Sequence, residues 1–476
     1  MKLTNAQLDR ACGALLATAA GDALGAPYEF GPPRGPELEV AMVGGGGFGW
    51  EPGEWTDDTS MAIVIAEVAA SDVDLREEPA LDAIVKRWHQ WAQRAKDVGI
   101  QTRSVLSQAG QGGITALKAR EESARLHKLT GRTAGNGSLM RTAPVALAFL
   151  HDEDALAEAA RTVSELTHYD PEAGDACVLW CLAIRNAVLT GELNARIGLR
   201  HLEVERRTLW AGRIYQADLM HPAEFTNNGW VAQALQAAWS AISTTPVPQD
   251  DPAKGIFRAD HLRLALDAAV RGGNDTDTVA AIAGGLLGAA YGASAVPADW
   301  RRRLHGWPGM QARELVNVAT RIVQGEHTFR DEPFWITPVR HPHDNGVWLG
   351  DLAALRNPPP EVDTIVSLCR VNDGDLPADI EHVDVRLADD VDPEANPNLD
   401  FVLTDAARLL EQLRSEGRTV LLHSVACQSR VPTVAALYGA RRRGISGALS
   451  LQQVASALRC AGPNNAFRAA LERLAP

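Results

Sequence analysis

Apolar residues recur with the period of a helix through most of the first two thirds of the chain. The pattern predicts Ala-rich amphipathic helices near 61–70, 80–95, 154–166, 173–190, 230–242, 261–271 and 312–324, with few strand signals among them. Gly44 to Gly47 and Pro246 to Pro252 read as loops. After Gly325 the texture changes. Prolines, histidines and aromatics from Pro333 through Pro338, His341 and His343 give way to short β-like runs at 347–349, 364–368, 382–385 and 419–422. These alternate with helical patterns at 400–416 and 433–442, an α/β arrangement. The expectation is a multidomain chain: an all-α domain over 1–325, a linker at 326–340 and a smaller α/β domain over 341–476. No internal repeat stands out.

The apolar run Ala11–Ala20 follows Lys2 and Arg10 in the manner of a signal peptide. Asp9 precedes it, however, and Gly21-Asp22-Ala23-Leu24-Gly25 extends it as a helix, so it is read as part of the fold. No stretch is expected to reach the roughly 20 apolar residues of a membrane span, and the cytoplasm is the expected location.

Composition narrows the classes. With 46% hydrophobic and 22% charged residues in 476, the chain reads as globular. Its formal charge of −14 argues against non-specific binding to nucleic acid or to an anionic membrane. An anionic ligand must then be held by local amides, arginines or bound cations. The cysteines at 12, 177, 181, 369, 427 and 460 show neither metal spacing nor a disulfide framework. Cys177 and Cys181 share a helical face as small core residues.

Two segments carry candidate chemistry: GEWTDDTSMA at 53–62 and GGNDTDTVAAIAGGLLGA at 272–289. Either alone reads as a capped helix start, with Thr56 as N-cap and first-turn carboxylates complementing the dipole. Together they present Asp57-Asp58 and Asp275-x-Asp277 beside hydroxyls, and bringing both pairs to one place would be repulsive without cations between them. An oxygen-only donor set suits hard ions, Mg²⁺ or Mn²⁺. Gly53, Gly272 and Gly273 permit close backbone approach.

With GALLATAAGDALGAPYEF (13–30), GNGSLMRTAPVAL (135–147) and THYDPEA (167–173) in the same order, residues 5–325 resemble the ADP-ribosylglycohydrolase family. The resemblance implies an all-α fold with two divalent ions, Mg²⁺ or alternatively Mn²⁺, held by Thr56, Asp57, Asp58, Asp275, Asp277 and Thr278. It implies that Glu29 lies near the scissile bond, that Gly135, Asn136, Gly137 and Ser138 wrap a diphosphate, and that His168 lines the ribose region. The plainer alternatives are a surface carboxylate, an ordinary loop and a core histidine. Trp50 and Trp55 fit an adenine or the core, with the core preferred. The implied reaction is release of ADP-ribose from a modified protein or an ADP-ribosyl small molecule. In it Glu29 or Asp58 accepts a proton and the ions activate water.

VWLGDLAALRNP, DTIVSLCRV, LADDVDPEANPNLDF and RTVLLHSVACQSRVPTVAALYGARRRG, over roughly 335–476, resemble the dual-specificity branch of the protein tyrosine phosphatases. His423, Ser424 and Arg430 take the places of that family's His, Cys and Arg. Loop amides, a helix start and Arg430 would hold a phosphorylated ligand at 424–430. Ser424 is a poor nucleophile without an adjacent base, so binding is expected and covalent turnover is not. Cys427 is rejected as a substitute, Val431 departs from the usual hydroxyl residue, and Asp390 or Asp392 is the candidate acid. Ser424 reads either as a natural loss or as an engineered Cys→Ser trap, and the intact loop inclines the reading to the latter. Two further functions stay open: a scaffold whose C-terminal domain reads a phosphorylated partner, and a hydrolase acting on free ADP-ribosyl nucleotides.

Overall fold

The computed structural model describes residues 2–325, 336–377 and 379–476. Up to Gln324 the chain is helices and loops, with a two-residue hairpin pairing His305–Gly306 with Met310–Gln311. The seven expected helices occupy Asp57–Ala69, Glu78–Ala92, Glu153–Glu165, Pro171–Thr190, Val231–Thr244, Asp260–Arg271 and Ala312–Gln324. Ala116–Thr130 and Val204–Leu219 escaped the pattern because their inward faces are narrow. The first buries Ala116, Ala119 and Ser123, the second Trp210, Ile214 and Ala217.

Two buried helices, Asn5–Gly25 and Thr276–Tyr291, lie back to back at the centre. Each presents a small residue every fourth position: Gly13, Ala17, Gly21 and Gly25 on one, Ala280, Gly284 and Gly288 on the other. A Cβ at Gly284 would stand 2.0 Å from the Ala17 carbonyl oxygen, and one at Gly21 would stand 2.1 Å from that of Ala280. The two backbones therefore touch, and no side chain fits between them. The contact continues to the helix ends, where a Cβ at Gly25 would lie 2.5 Å from Asp277 Cα.

Helix Pro171–Thr190 corrects one expectation, since by length and composition it could cross a membrane. Glu172, Asp175 and Arg185 disguise it in the sequence. It is buried from Ala173 to Ile184, with Asp175 accepting from Trp210 Nε1 at 3.2 Å and lying 3.2 Å from Arg206.

The C-terminal part is a five-stranded mixed sheet in the order Val339–His341, Asp344–Gly350, Val420–His423, Thr364–Ser367, Glu381–Asp384. Its first pair is antiparallel and the others are parallel. Of the expected linker, residues 326–335 lie outside the described residues, and the sheet already begins at Val339. The helices include Leu399–Ser415 and Arg430–Arg443. The sheet joins the helical part closely. Phe257 and Phe401 stack edge to face at 5.8 Å, Arg301 Nη1 donates to Asp384 O at 2.7 Å, and Asp405 accepts from Ala298 N at 2.8 Å.

Candidate active site

The two acidic segments meet. Thr56 stands at the N-cap position of the Asp57–Ala69 helix, yet its hydroxyl donates to Asp58 Oδ2 at 3.0 Å instead of capping. The cap comes from across the helix contact. Asp22, fully buried, accepts from Thr56 N at 2.9 Å through one oxygen, and from Thr59 N at 3.0 Å and Thr59 Oγ1 at 2.6 Å through the other. Asp275 heads the Thr276–Tyr291 helix and accepts from Asn136 Nδ2 at 2.7 Å, while its own amide donates to Asn228 Oδ1 at 3.1 Å. Asp277 Oδ1 accepts from Thr278 N at 2.9 Å.

Oxygens of Asp22, Asp58 and Asp277 lie within 4.8 Å of one another, as do those of Glu29, Asp275 and Asp277, so Asp277 joins two three-carboxylate groups. Glu29 is delivered by a strap on which Phe30 N donates to Asn274 O and Asn274 N to Gly31 O, both at 2.7 Å. Phe30 and Asn274 hold left-handed backbone there, each at φ 62°. Burial pushes every one of these acids up, reinforced by neighbouring carboxylates at Glu29, Asp57, Asp58 and Asp277. Glu29 is raised to about 9 by burial with Asp275 and Asp97, Asp57 to about 8 by burial with Asp97 and Asp22. Asp58 and Asp277 are raised well above the usual range by burial and by the acids around them.

The donor set fits divalent ions. Asp58 Oδ1 and Glu29 Oε2 are buried without a hydrogen-bond partner, an arrangement that costs free energy unless a proton or cation faces them. The surrounding donors are oxygens, with Thr56 and Thr278 buried at the same helix starts.

The Gly135–Ser138 loop is a short turn over His168. A Cβ at Gly137 would fall 3.0 Å from His168 Cε1, so the ring fixes the glycine. Arg141 Nη2 donates to Thr167 Oγ1 at 2.7 Å, and the same hydroxyl pairs with His168 Nδ1 at 2.8 Å. Burial and the Arg141 charge hold this imidazole neutral, well below the usual histidine range.

Three residues were missed in the sequence: Asp22, Asp97 and Asn228. A charge inside the apolar glycine-marked helix was the available signal for Asp22. Nothing local marked the other two. Trp50 and Trp55 are buried, in keeping with core positions, but they also border a cavity of about 530 Å³ beside Thr56 and Asp57, together with Trp91, Trp307, Glu54 and Asp97.

In the C-terminal loop, Ser424 is buried, its Oγ accepting from Cys427 N at 3.2 Å. Cys427 sits at φ 54°, where glycine is at home, and burial raises its thiol well above the usual value. His423 is buried with Nε2 2.5 Å from Ser367 Oγ, and burial with His382 lowers it to about 3. Arg430 Nη1 donates to Leu368 O at 3.2 Å and Leu387 O at 3.0 Å. Of the candidate acids, exposed Asp390 accepts from Asp392 N, and exposed Asp392 caps the turn Pro393–Ala395. The carboxylate facing Arg430 Nε, at 3.7 Å, belongs instead to Asp389.

An all-helical body whose helix starts converge on a buried basin of carboxylates, beside a glycine loop, is a hard-cation site suited to hydrolysis. The chain belongs to the ADP-ribosylglycohydrolase family, whose model matches residues 3–330, and is a glycohydrolase. It is 32% identical to the ADP-ribosylarginine hydrolase Tri1 of Pseudomonas putida (strain GB-1), over 66% of this chain and 80% of that protein. It is 28% identical to the ADP-ribosyl-[dinitrogen reductase] glycohydrolase of Rhodospirillum rubrum, over 62% of this chain and 90% of that protein. Among solved structures, human DUSP28 matches 30% of this chain and 96% of its own, at 24% identity and a TM-score of 0.27.

Proposed function

We propose that residues 1–325 form a divalent-metal-dependent hydrolase domain that releases ADP-ribose from arginine side chains of modified proteins in the cytoplasm. The observation that carries the hydrolytic reading is the pair of carboxylate triads sharing Asp277. Two Mg²⁺ ions, or Mn²⁺, would be held by Thr56, Asp57, Asp58, Asp275, Asp277 and Thr278, with Asp22 and Glu29 at the edges of the set. When bound they supply orientation of ribose hydroxyls and a water made acidic. The arginine linkage is supported by the tryptophan-lined cavity beside Asp57, where the Trp55, Trp91 and Trp307 side chains and the Asp97 carboxylate suit a planar cation, Glu54 being engaged by Lys96. It is supported too by the name of the Pseudomonas relative.

The glycine loop offers short approach to a diphosphate, and neutral His168 stiffens it from below. Water oxygen bonds to the anomeric carbon as the bond from that carbon to the guanidine nitrogen breaks. Glu29 or Asp58 takes the water proton and passes it to the departing guanidine nitrogen, which leaves as guanidinium. The test is turnover of arginine-, serine- and nucleotide-linked ADP-ribose with and without EDTA, in the wild type and in Asp277→Ala. Arginine-linked substrate should be consumed only by metal-loaded wild type. Equal activity in EDTA, or in Asp277→Ala, refutes the metal reading, and preference for another linkage refutes the arginine assignment.

We further propose that residues 341–476 form a phosphatase-like domain that holds a phosphate at 424–430 without cleaving it. Among the described residues, the amides of Val425, Ala426, Gln428 and Ser429 donate no hydrogen bond within the chain, and buried Arg430 Nε makes none either, its facing carboxylate, Asp389, standing 3.7 Å away. Such a nest of amides with a guanidinium is chemistry for a dianion.

A further inference from the structure

Between the helical part and the sheet lies a cavity of about 370 Å³, bordered by Asn5, Asp9 and Gln324 on one side and by Arg370, Arg386 and Arg430 on the other. In a chain of formal charge −14, three guanidiniums border this one cavity, with Asp384 beside Arg386 and Asp389 at 3.7 Å from Arg430 Nε. The single acid in that lining is turned aside, since Asp9 accepts from Ser294 N at 3.0 Å and Ser294 Oγ at 2.6 Å. Arg430 is 8% exposed and its Nε has no hydrogen-bond partner. Arg386 spends Nε on Asp384 at 2.9 Å, leaving Nη1 buried and likewise without a partner. Two guanidiniums, each with a nitrogen that makes no hydrogen bond, border one half-open space and suit two anionic groups.

We propose that this cavity binds a small organic phosphate ester bearing a second anionic group, the phosphate seated at 424–430 with Arg430 and the second group held by Arg386. The proposal rests on the phosphate-holding reading of that loop. A phosphorylated side chain on a folded protein would bring its flanking backbone, and Asn5, Leu8 and Asp9 of the first helix already border the space beside the loop. The volume is in the range that holds a metabolite. The helical domain thus completes the ligand site of the sheet domain.

Calorimetry on the full chain tests this with inorganic phosphate, fructose 1,6-bisphosphate and a phosphotyrosyl decapeptide as probes. The bisphosphate should bind at least tenfold more tightly than inorganic phosphate, and the peptide more weakly than the bisphosphate. Arg386→Gln should remove the bisphosphate's advantage while leaving phosphate binding within about threefold. Because Arg386 also pairs with Asp384, a second variant is needed: Asn5→Trp, on the exposed first turn, should weaken the bisphosphate alone by crowding the cavity from the helical side. Equal binding of phosphate and bisphosphate, tighter binding of the peptide, or an undiminished advantage in both variants overturns the proposal while sparing the phosphate loop. Failure of all three probes to bind overturns the loop reading as well.

Discussion

Asp277→Asn should make the metal-free protein more stable while destroying its response to magnesium. In the wild type Asp277 has an oxygen within 4.8 Å of oxygens from Asp22 and Asp58, and likewise from Glu29 and Asp275. At an effective dielectric constant of about 20, each fully ionised pair at that distance costs about 3.5 kcal/mol. Keeping a proton on one ordinary carboxyl at pH 7 costs only about 4 kcal/mol. With four neighbours the proton is the cheaper solution, in agreement with the strong upward shift that burial and these acids impose on Asp277. A carboxyl raised on folding binds extra protons in the folded state, so its penalty appears above the unfolded value near 4 and grows as pH rises. Asparagine has no such penalty, and its oxygen still accepts from Thr278 N. The gain in EDTA should approach about 4 kcal/mol at pH 7 and shrink to about a third to a half of that at pH 5. With millimolar Mg²⁺ the order should invert, because wild type gains the free energy of bound cations and the variant loses it. Thermal unfolding at pH 5, 6 and 7.5, with EDTA or Mg²⁺, reads all of this. A variant that melts below wild type in EDTA at pH 7.5, or that is stabilised by Mg²⁺ as much as wild type, would refute the reasoning.

Because Asp57 at about 8 and Glu29 at about 9 hold protons at neutral pH, magnesium must displace them. Its apparent affinity should therefore rise about tenfold per pH unit for each proton expelled between pH 6 and 8, and a pH-independent isotherm would contradict this. Gly284→Ala, whose Cβ would meet the Ala17 carbonyl at 2.0 Å, should destabilise by about 1–3 kcal/mol despite the better helix propensity of alanine, and should weaken magnesium binding. Gly212→Ala, in a helix with nothing within 4 Å of the new methyl, should instead stabilise by up to about 1 kcal/mol, measured by the same melts. Ser424→Cys restores a thiol beside unused amides and Arg430 and should create measurable turnover of p-nitrophenyl phosphate. Absence of turnover in a folded variant that still binds phosphate would show that the loop only holds.

The helices around the acid basin were legible because each side chain concerned advertises itself locally. Thr56, Asp57 and Asp58 open one apolar helix, Asp275, Asp277 and Thr278 another, and the structure brings them together. Asp22 was not legible as a partner. Its role exists only because the first helix packs directly on the start of the Asp57–Ala69 helix, so that a carboxylate on one caps the other from 34 and 37 residues away. Asp97 and Asn228 arrive from loops with no periodicity to read. In the sheet, strand positions followed from β-like runs, and among the acids at 389, 390 and 392, which look alike in sequence, Asp389 lies 3.7 Å from Arg430 while Asp392 caps the turn at 393–395.

Under the proposed functions the two halves would handle anions by opposite physics. The helical site is a concentration of carboxylates and can meet a diphosphate only with cations from solution and the amides of the Gly135 loop. The sheet site carries its positive charge covalently, on Arg370, Arg386 and Arg430. A chelator should therefore silence the first and leave the second untouched. Raised ionic strength should weaken the second more than a substitution in the acid basin does, because its attraction is charge on charge across a partly solvated cavity. The acid basin and the arginine cavity share no residue, so phosphate affinity in EDTA should equal that in magnesium. A phosphate affinity that collapsed on chelation would mean instead that both anions are drawn to the same metal-loaded basin, and that the arginines serve the interface alone.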